Sequence, residues 1–85
     1  MTAADVMART RTFLVDNFLY MRKDFTFADG DSLMRTGVID SMGVVELVDF
    51  VQSEFGVTVD NADITEDNFG SLEGISRYVI ARKTG

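Results

Sequence analysis

The chain has 85 residues, enough for one domain (1–85) whose core is a single small cluster with no room for a deep substrate pocket. It contains no histidine and no cysteine, so the usual neutral-pH base, the strongest side-chain nucleophile and any disulfide framework are all excluded, and the chain reads as a non-enzyme. A hydrophobic fraction of 46% fits a folded globular domain, and a net charge of −6 disfavours binding to nucleic acid or to an anionic membrane.

The first predicted element is a helix over residues 3–20. Thr2 followed three residues later by Asp5 resembles a capping box. Val6, Phe13, Leu14, Phe18 and Met21 can share one broad helical face. Residues 21–39 then form a connection longer than the roughly 12–15 residues at which loops become uncommon. Phe25, Phe27, Leu33, Met34, Val38 and Ile39 would anchor it to the core. Asp29-Gly30-Asp31 opens like a calcium loop, but Met34 stands where such a loop needs its glycine.

The second helix is predicted over residues 41–55 and is the best defined. Val44, Leu47, Val48, Val51 and Phe55 make one apolar stripe at helical spacing. Asp40 suits the N-cap, and Gly56 suits the stop. Residues 57–69 read as a loop with one short helical turn near 65–68, held down by Ile64 and Phe69; Val57 and Val59 alternate like a strand but have nothing to pair with. The last helix is predicted over residues 71–82, capped by Ser71, with Leu72, Ile75 and Val79 as its buried line and Arg82 and Lys83 in its last turn. The fold class is all-α: a bundle of three main helices plus one short one, with a long loop between the first two. No apolar run approaches the roughly 20 residues of a membrane span, and the N-terminus lacks the pattern of a signal peptide. The absence of cysteine fits a reducing cytoplasm, and the chain is expected to be a monomer without membrane insertion.

Charge is unevenly distributed. Residues 36–76 hold no Lys or Arg but nine acids, from Asp40 to Glu73. Such a surface would attract a protein partner with a basic patch; it can equally be a solvated face that only aids solubility.

The junction Gly37-Val38-Ile39-Asp40-Ser41-Met42-Gly43 carries the functional reading. Ser41 falls outside the apolar stripe, so its hydroxyl should be exposed in the first turn of the second helix. A phosphate ester there is favoured by the helix N-terminus, by fractions of a kcal/mol to about 1 kcal/mol. On residue pattern alone, Asp40 and Ser41 can equally be no more than a helix cap.

Asp40-Ser41-Met42, then Val44-Val45-Glu46-Leu47-Val48, then Glu54-Phe55-Gly56-Val57, with Glu66-Asp67-Asn68-Phe69 leading into Ser71-Leu72, together resemble the acyl carrier protein family over residues 13–79. The resemblance implies an acyl-carrier-protein-like bundle in which Ser41 receives 4'-phosphopantetheine from coenzyme A, attached by a magnesium-dependent phosphopantetheinyl transferase that Asp40 helps to engage. The arm ends in a thiol that holds cargo as a thioester, so a chain without cysteine imports its sulfur. The resemblance also implies a docking face for partner enzymes. Met42, Val45, Glu46 and Asp49 fall on the exposed side of the second helix and would form it, unless Met42 and Val45 simply cover the edge of the core.

Asp31-Ser32-Leu33 is the family's commoner triplet, yet only four residues separate Ser32 from Gly37 and no apolar stripe follows. Ser41 is therefore preferred to Ser32. Three residues, rather than two, separate Gly37 from Ser41, and Met42-Gly43 follows the serine. Both features look like D-alanyl carriers and stand-alone aminoacyl carriers, which implies loading by an AMP-forming ligase and delivery to a downstream acyl-transfer enzyme. Asp49 departs from the family, where an apolar residue such as methionine is frequent, and this weighs against fatty-acid synthesis enzymes as partners. A long acyl chain would have to enter a bundle crowded by Phe13, Phe18, Phe50, Phe55 and Phe69. The alternative is an acidic helical interaction module with no prosthetic group, in which Ser41 only caps a helix.

Overall fold

A computed structural model describes residues 1–22 and 24–84. Helix α1 spans Ala3–Phe18 and opens with the predicted capping box. The Thr2 hydroxyl accepts from the Asp5 amide at 3.1 Å, and the Asp5 carboxylate accepts from the Thr2 amide at 3.2 Å. The bond from the Thr2 backbone amide, and after it the Thr2 hydroxyl beside the carboxylate, hold the Asp5 carboxyl below its ordinary pKa. The helix stops two residues short of the predicted end. At Leu19 the backbone turns to φ −114°, ψ 6°, so the helical period no longer reaches Met21, which is 81% exposed instead of joining the buried face. Val6, Leu14 and the buried Thr10 form that face, and the Thr10 hydroxyl is satisfied by donating to the Val6 carbonyl at 2.8 Å.

Helix α2 spans Ser41–Phe55, as predicted. Leu47, Val48, Val51 and Phe55 are buried and Val44 is half-buried. Gly56 ends the helix in the left-handed region (φ 67°, ψ 35°), where a side chain would be strained, and its amide donates to Gln52.

The passage from α2 to the last helix contains a 3-10 turn at Asn61–Asp63, absent from the predicted elements, and a short helix α3 at Glu66–Phe69. The Thr65 hydroxyl caps α3 by accepting from the Asn68 amide at 3.3 Å. Phe69 is buried, but Ile64 is more than one-third exposed and does not pin the segment, because the 3-10 turn ends at Asp63 and leaves Ile64 at the surface. No strand occurs among the described residues; the Val59 amide donates instead to the Gln52 side chain at 2.9 Å. Helix α4, Leu72–Thr84, is capped by Ser71, whose hydroxyl accepts from the Gly74 amide at 3.1 Å. Leu72, Ile75 and Val79 are fully buried, and α4 packs chiefly against α1, with α3 against α4.

The long connection between α1 and α2 is anchored by Phe27, Leu33, Val38 and Ile39, all buried. Met34, predicted as an anchor, is 42% exposed, because the turn over 33–37 directs Leu33 inward and leaves Met34 outward. Polar ties fix the path. Arg11 donates to the Phe27 carbonyl at 2.8 Å and pairs with Asp29 at 2.6 Å, the Leu33 amide donates to the Gly70 carbonyl at 2.8 Å, and the Glu73 amide donates to the Asp29 carbonyl at 3.0 Å. The chain therefore arrives at α2 on a defined course. Among the described residues, no helix is long and apolar enough to cross a membrane.

Candidate functional site at the start of α2

Two buried side chains, Val38 and Ile39, fasten the residues that lead into α2. Asp40 follows in extended conformation (φ −109°, ψ −173°), and its Oδ1 accepts from the Gly43 amide at 2.8 Å. This is the predicted N-cap. It satisfies one of the first-turn amides, and those of Ser41 and Met42 have no acceptor among the described residues.

Ser41 is exposed, and its hydroxyl has no hydrogen-bond partner among the described residues. No base among the described residues is bonded to it. It is a free alcohol at the positive end of a helix dipole.

Two glycines set this geometry. Gly37 stands at φ 84°, a turn that L side chains rarely adopt, and it reverses the chain into Val38 and Ile39. Gly43 is buried where α2 meets the end of α1; a Cβ there would stand 3.0 Å from the Ile39 Cβ and 3.1 Å from a Phe18 ring carbon. The spacing Gly37-x-x-x-Ser41-x-Gly43 thus has a local cause: one glycine makes the turn and the other leaves room for the Ile39 and Phe18 side chains.

An open cleft of about 550 Å³ lies beside the serine, lined by Phe18, Met34, Gly37, Val38, Ile39, Asp40 and Ser41. Arg22 borders it. Its Nη1 donates to the Gly37 carbonyl at 3.0 Å, and its guanidinium lies over the Phe25 ring, 4.2 Å from the centroid. Arg22 was not among the site residues read from the sequence. The tie joins residues fifteen positions apart, and no periodicity or motif signals it.

Ser32, the competing serine, is half-buried and engaged. Its hydroxyl donates to Glu66 Oε1 at 2.8 Å and accepts from the Arg35 amide at 3.2 Å. It ties the long loop to α3 and opens only the turns over 33–37.

Met42, Val45, Glu46 and Asp49 all lie exposed on α2. Met42 is 77% and Val45 60% exposed, which leaves them little part in covering the core. Neither Glu46 nor Asp49 forms an ion pair among the described residues, where the salt bridges are Arg9–Glu54 and Arg11–Asp29. The four residues form one surface that combines unpaired negative charge with two bare apolar side chains, next to Ser41.

Between α1 and α2 the aromatic rings pack on one another. Phe13 stacks on Phe50 at 4.2 Å between centroids, with Phe18 and Phe55 edge-on at 5.9 Å. Phe69 lies apart and packs with Tyr78 at 5.3 Å. A cleft of about 130 Å³, lined by Met34, Val44, Ile64, Thr65, Glu66 and Phe69, separates α2 from α3.

No protein-family model matches the chain, and no curated protein matches it. The functional reading therefore stands on this geometry and on the residue pattern.

Proposed function

We propose that this chain is a phosphopantetheine-dependent carrier, an acyl-carrier-protein-like module with Ser41 as the attachment point. One observation carries the reading: an exposed, unpartnered serine hydroxyl in the first turn of a capped helix, reached without obstruction from solvent. The chemistry of the surroundings fits a phosphodiester, with two first-turn amides lacking acceptors, a helix dipole of the right sign and the Arg22 guanidinium at the neighbouring cleft. Ser32 offers none of this, because its hydroxyl is already engaged with Glu66.

The chain's own part in the reaction is presentation. A phosphopantetheinyl transferase supplies coenzyme A and magnesium. The Ser41 oxygen forms the new bond to phosphorus, the bond to the nucleotide oxygen breaks, 3',5'-ADP leaves, and the serine proton passes to the transferase. Asp40 keeps the first turn closed through Gly43, so Ser41 stays displayed at the helix start. When attached, the group supplies a thiol that carries cargo as a thioester.

Met42, Val45, Glu46 and Asp49 form the face that meets partners: the transferase, an AMP-forming acyl or aminoacyl ligase, and a downstream acyl-transfer enzyme. Charge steers a basic partner to α2, and the two exposed apolar side chains complete the contact. Nucleic acid is not a partner, and the chain works as a cytoplasmic monomer without catalytic activity of its own. Its cargo is an acyl or aminoacyl group. The test is labelling with a fluorescent coenzyme A analogue and a broad-specificity transferase. Wild type and Ser32→Ala should both label, and Ser41→Ala should not. Equal labelling of Ser41→Ala and wild type would refute the assignment.

A further inference from the structure

We propose that the arm joined to Ser41 does not swing freely but lies back along the cleft at the end of α1, with its phosphodiester paired to Arg22 and its geminal dimethyl group against Phe18 and Ile39. This rests on the carrier reading above and adds a holding site for the arm on the chain itself.

Ser41 is part of the wall of this cleft, so a group attached there is rooted at its edge. The volume, about 550 Å³, falls in the range of about 300–1,000 Å³ common for small-molecule sites. The lining is apolar apart from Ser41 and Asp40, whose carboxylate already accepts from the Gly43 amide. Phe18, Val38 and Ile39 supply a buried or half-buried apolar floor with Met34 at its side. Arg22 lies outside the wall but against it: its Nη2 is 4.0 Å from where a Cβ on Gly37 would stand, and Gly37 is itself a wall residue.

The Arg22 charge is uncompensated. The ion pairs among the described residues involve Arg9 and Arg11, and the hydrogen bond Arg22 makes goes to a neutral carbonyl. One of its five N–H donors is used there, which leaves donors for an anion. The Phe25 ring fixes the guanidinium plane, so little side-chain freedom is lost on pairing. A ligand suited to the cleft has an anion at one end and a branched hydrocarbon beside it. Phosphopantetheine has that order of groups, a phosphodiester followed by a carbon bearing two methyls.

The experiment uses the full chain loaded with unlabelled phosphopantetheine, with complete loading verified by intact mass. NMR then reads the two geminal methyls, their NOEs and the phosphorus shift. The proposal predicts two resolved methyl signals displaced upfield from free phosphopantetheine by the Phe18 ring, with NOEs to Phe18 and Ile39. In Arg22→Gln these NOEs should vanish and the phosphorus shift should move towards that of the free compound, whereas Arg22→Lys should retain part of both. The unloaded Arg22→Gln protein should give a wild-type amide spectrum away from residues 22–37. Should that variant misfold, raising the salt concentration on the wild-type holo-protein should weaken the same NOEs through screening. A fully loaded chain with degenerate, unshifted methyls and no NOEs to Phe18 or Ile39 would overturn the holding site and leave the carrier reading intact. Failure to gain the phosphopantetheine mass would overturn both.

Discussion

Asp40→Ala removes one hydrogen bond and one charge from the opening turn of α2. The Asp40 carboxylate accepts from the Gly43 amide at 2.8 Å, and among the described residues no other side chain caps this helix. Replacing an Asp N-cap by alanine costs about 0.5–2 kcal/mol, typically about 1 kcal/mol. The charge contributes to that figure, since an anion at an exposed helix N-terminus is worth about 0.3–1 kcal/mol. In a domain of this size, about 1 kcal/mol moves Tm by about 4–8 °C. Asp40→Ala should therefore melt about 4–8 °C below wild type, followed by circular dichroism at neutral pH. Asp40→Asn keeps an acceptor for the Gly43 amide and loses only the charge, so it should lose less than Asp40→Ala and the difference from wild type should shrink at high salt. Loading separates the two roles of this residue. If the transferase uses the carboxylate, Asp40→Asn should load slowly although its first turn is intact. Wild-type melting of Asp40→Ala, or equal damage from Asn and Ala, would refute the hydrogen bond as the reason this turn holds.

Three further outcomes are expected. Leu47→Ala should cost about 2–5 kcal/mol and Phe55→Ala about 3–5 kcal/mol in urea unfolding, because Leu47 is fully buried and Phe55 both is buried and packs edge-on against Phe50; a loss under about 1 kcal/mol for both would contradict the core assignment. Reversing Glu46 and Asp49 to lysine should slow association with a basic partner and flatten its salt dependence, while stability changes by no more than about 0.5 kcal/mol per site; binding indifferent to both reversals would remove the docking face. The Tyr78 pKa is raised above the ordinary phenol value by partial burial and then by its 2.7 Å hydrogen bond to Asp63. Its contribution to stability is thus complete below the unfolded pKa of about 10 and is lost as pH rises through the folded value. Urea midpoints of wild type should fall relative to Tyr78→Phe across that alkaline window, and parallel curves would refute the coupling.

Helix α2 could be read from the residues alone because every level agreed: a stripe at helical spacing, an aspartate at its start and a glycine at its end. The capping box of α1 and the Ser71 cap of α4 were legible for the same reason, since each is a bond across three residues. What escaped depends on distant neighbours. Met21 keeps the helical period on paper, but the chain leaves α1 at Leu19. Met34 and Ile64 are apolar residues in irregular segments, where no period says which side faces inward, and both emerge at the surface. The exposure of Ser41 followed from its place off the apolar stripe. The engagement of Ser32 did not, because its partner Glu66 lies 34 residues away. Arg22 carries no local mark at all; only the fold brings it to Gly37.

The most direct test is the intact mass and peptide map of the chain produced in cells that contain coenzyme A and an active phosphopantetheinyl transferase. One phosphopantetheine per chain is predicted, mapped to the peptide bearing Ser41, retained in Ser32→Ala and abolished in Ser41→Ala. An unmodified mass under those conditions, or a modification that maps to Ser32, would contradict the account.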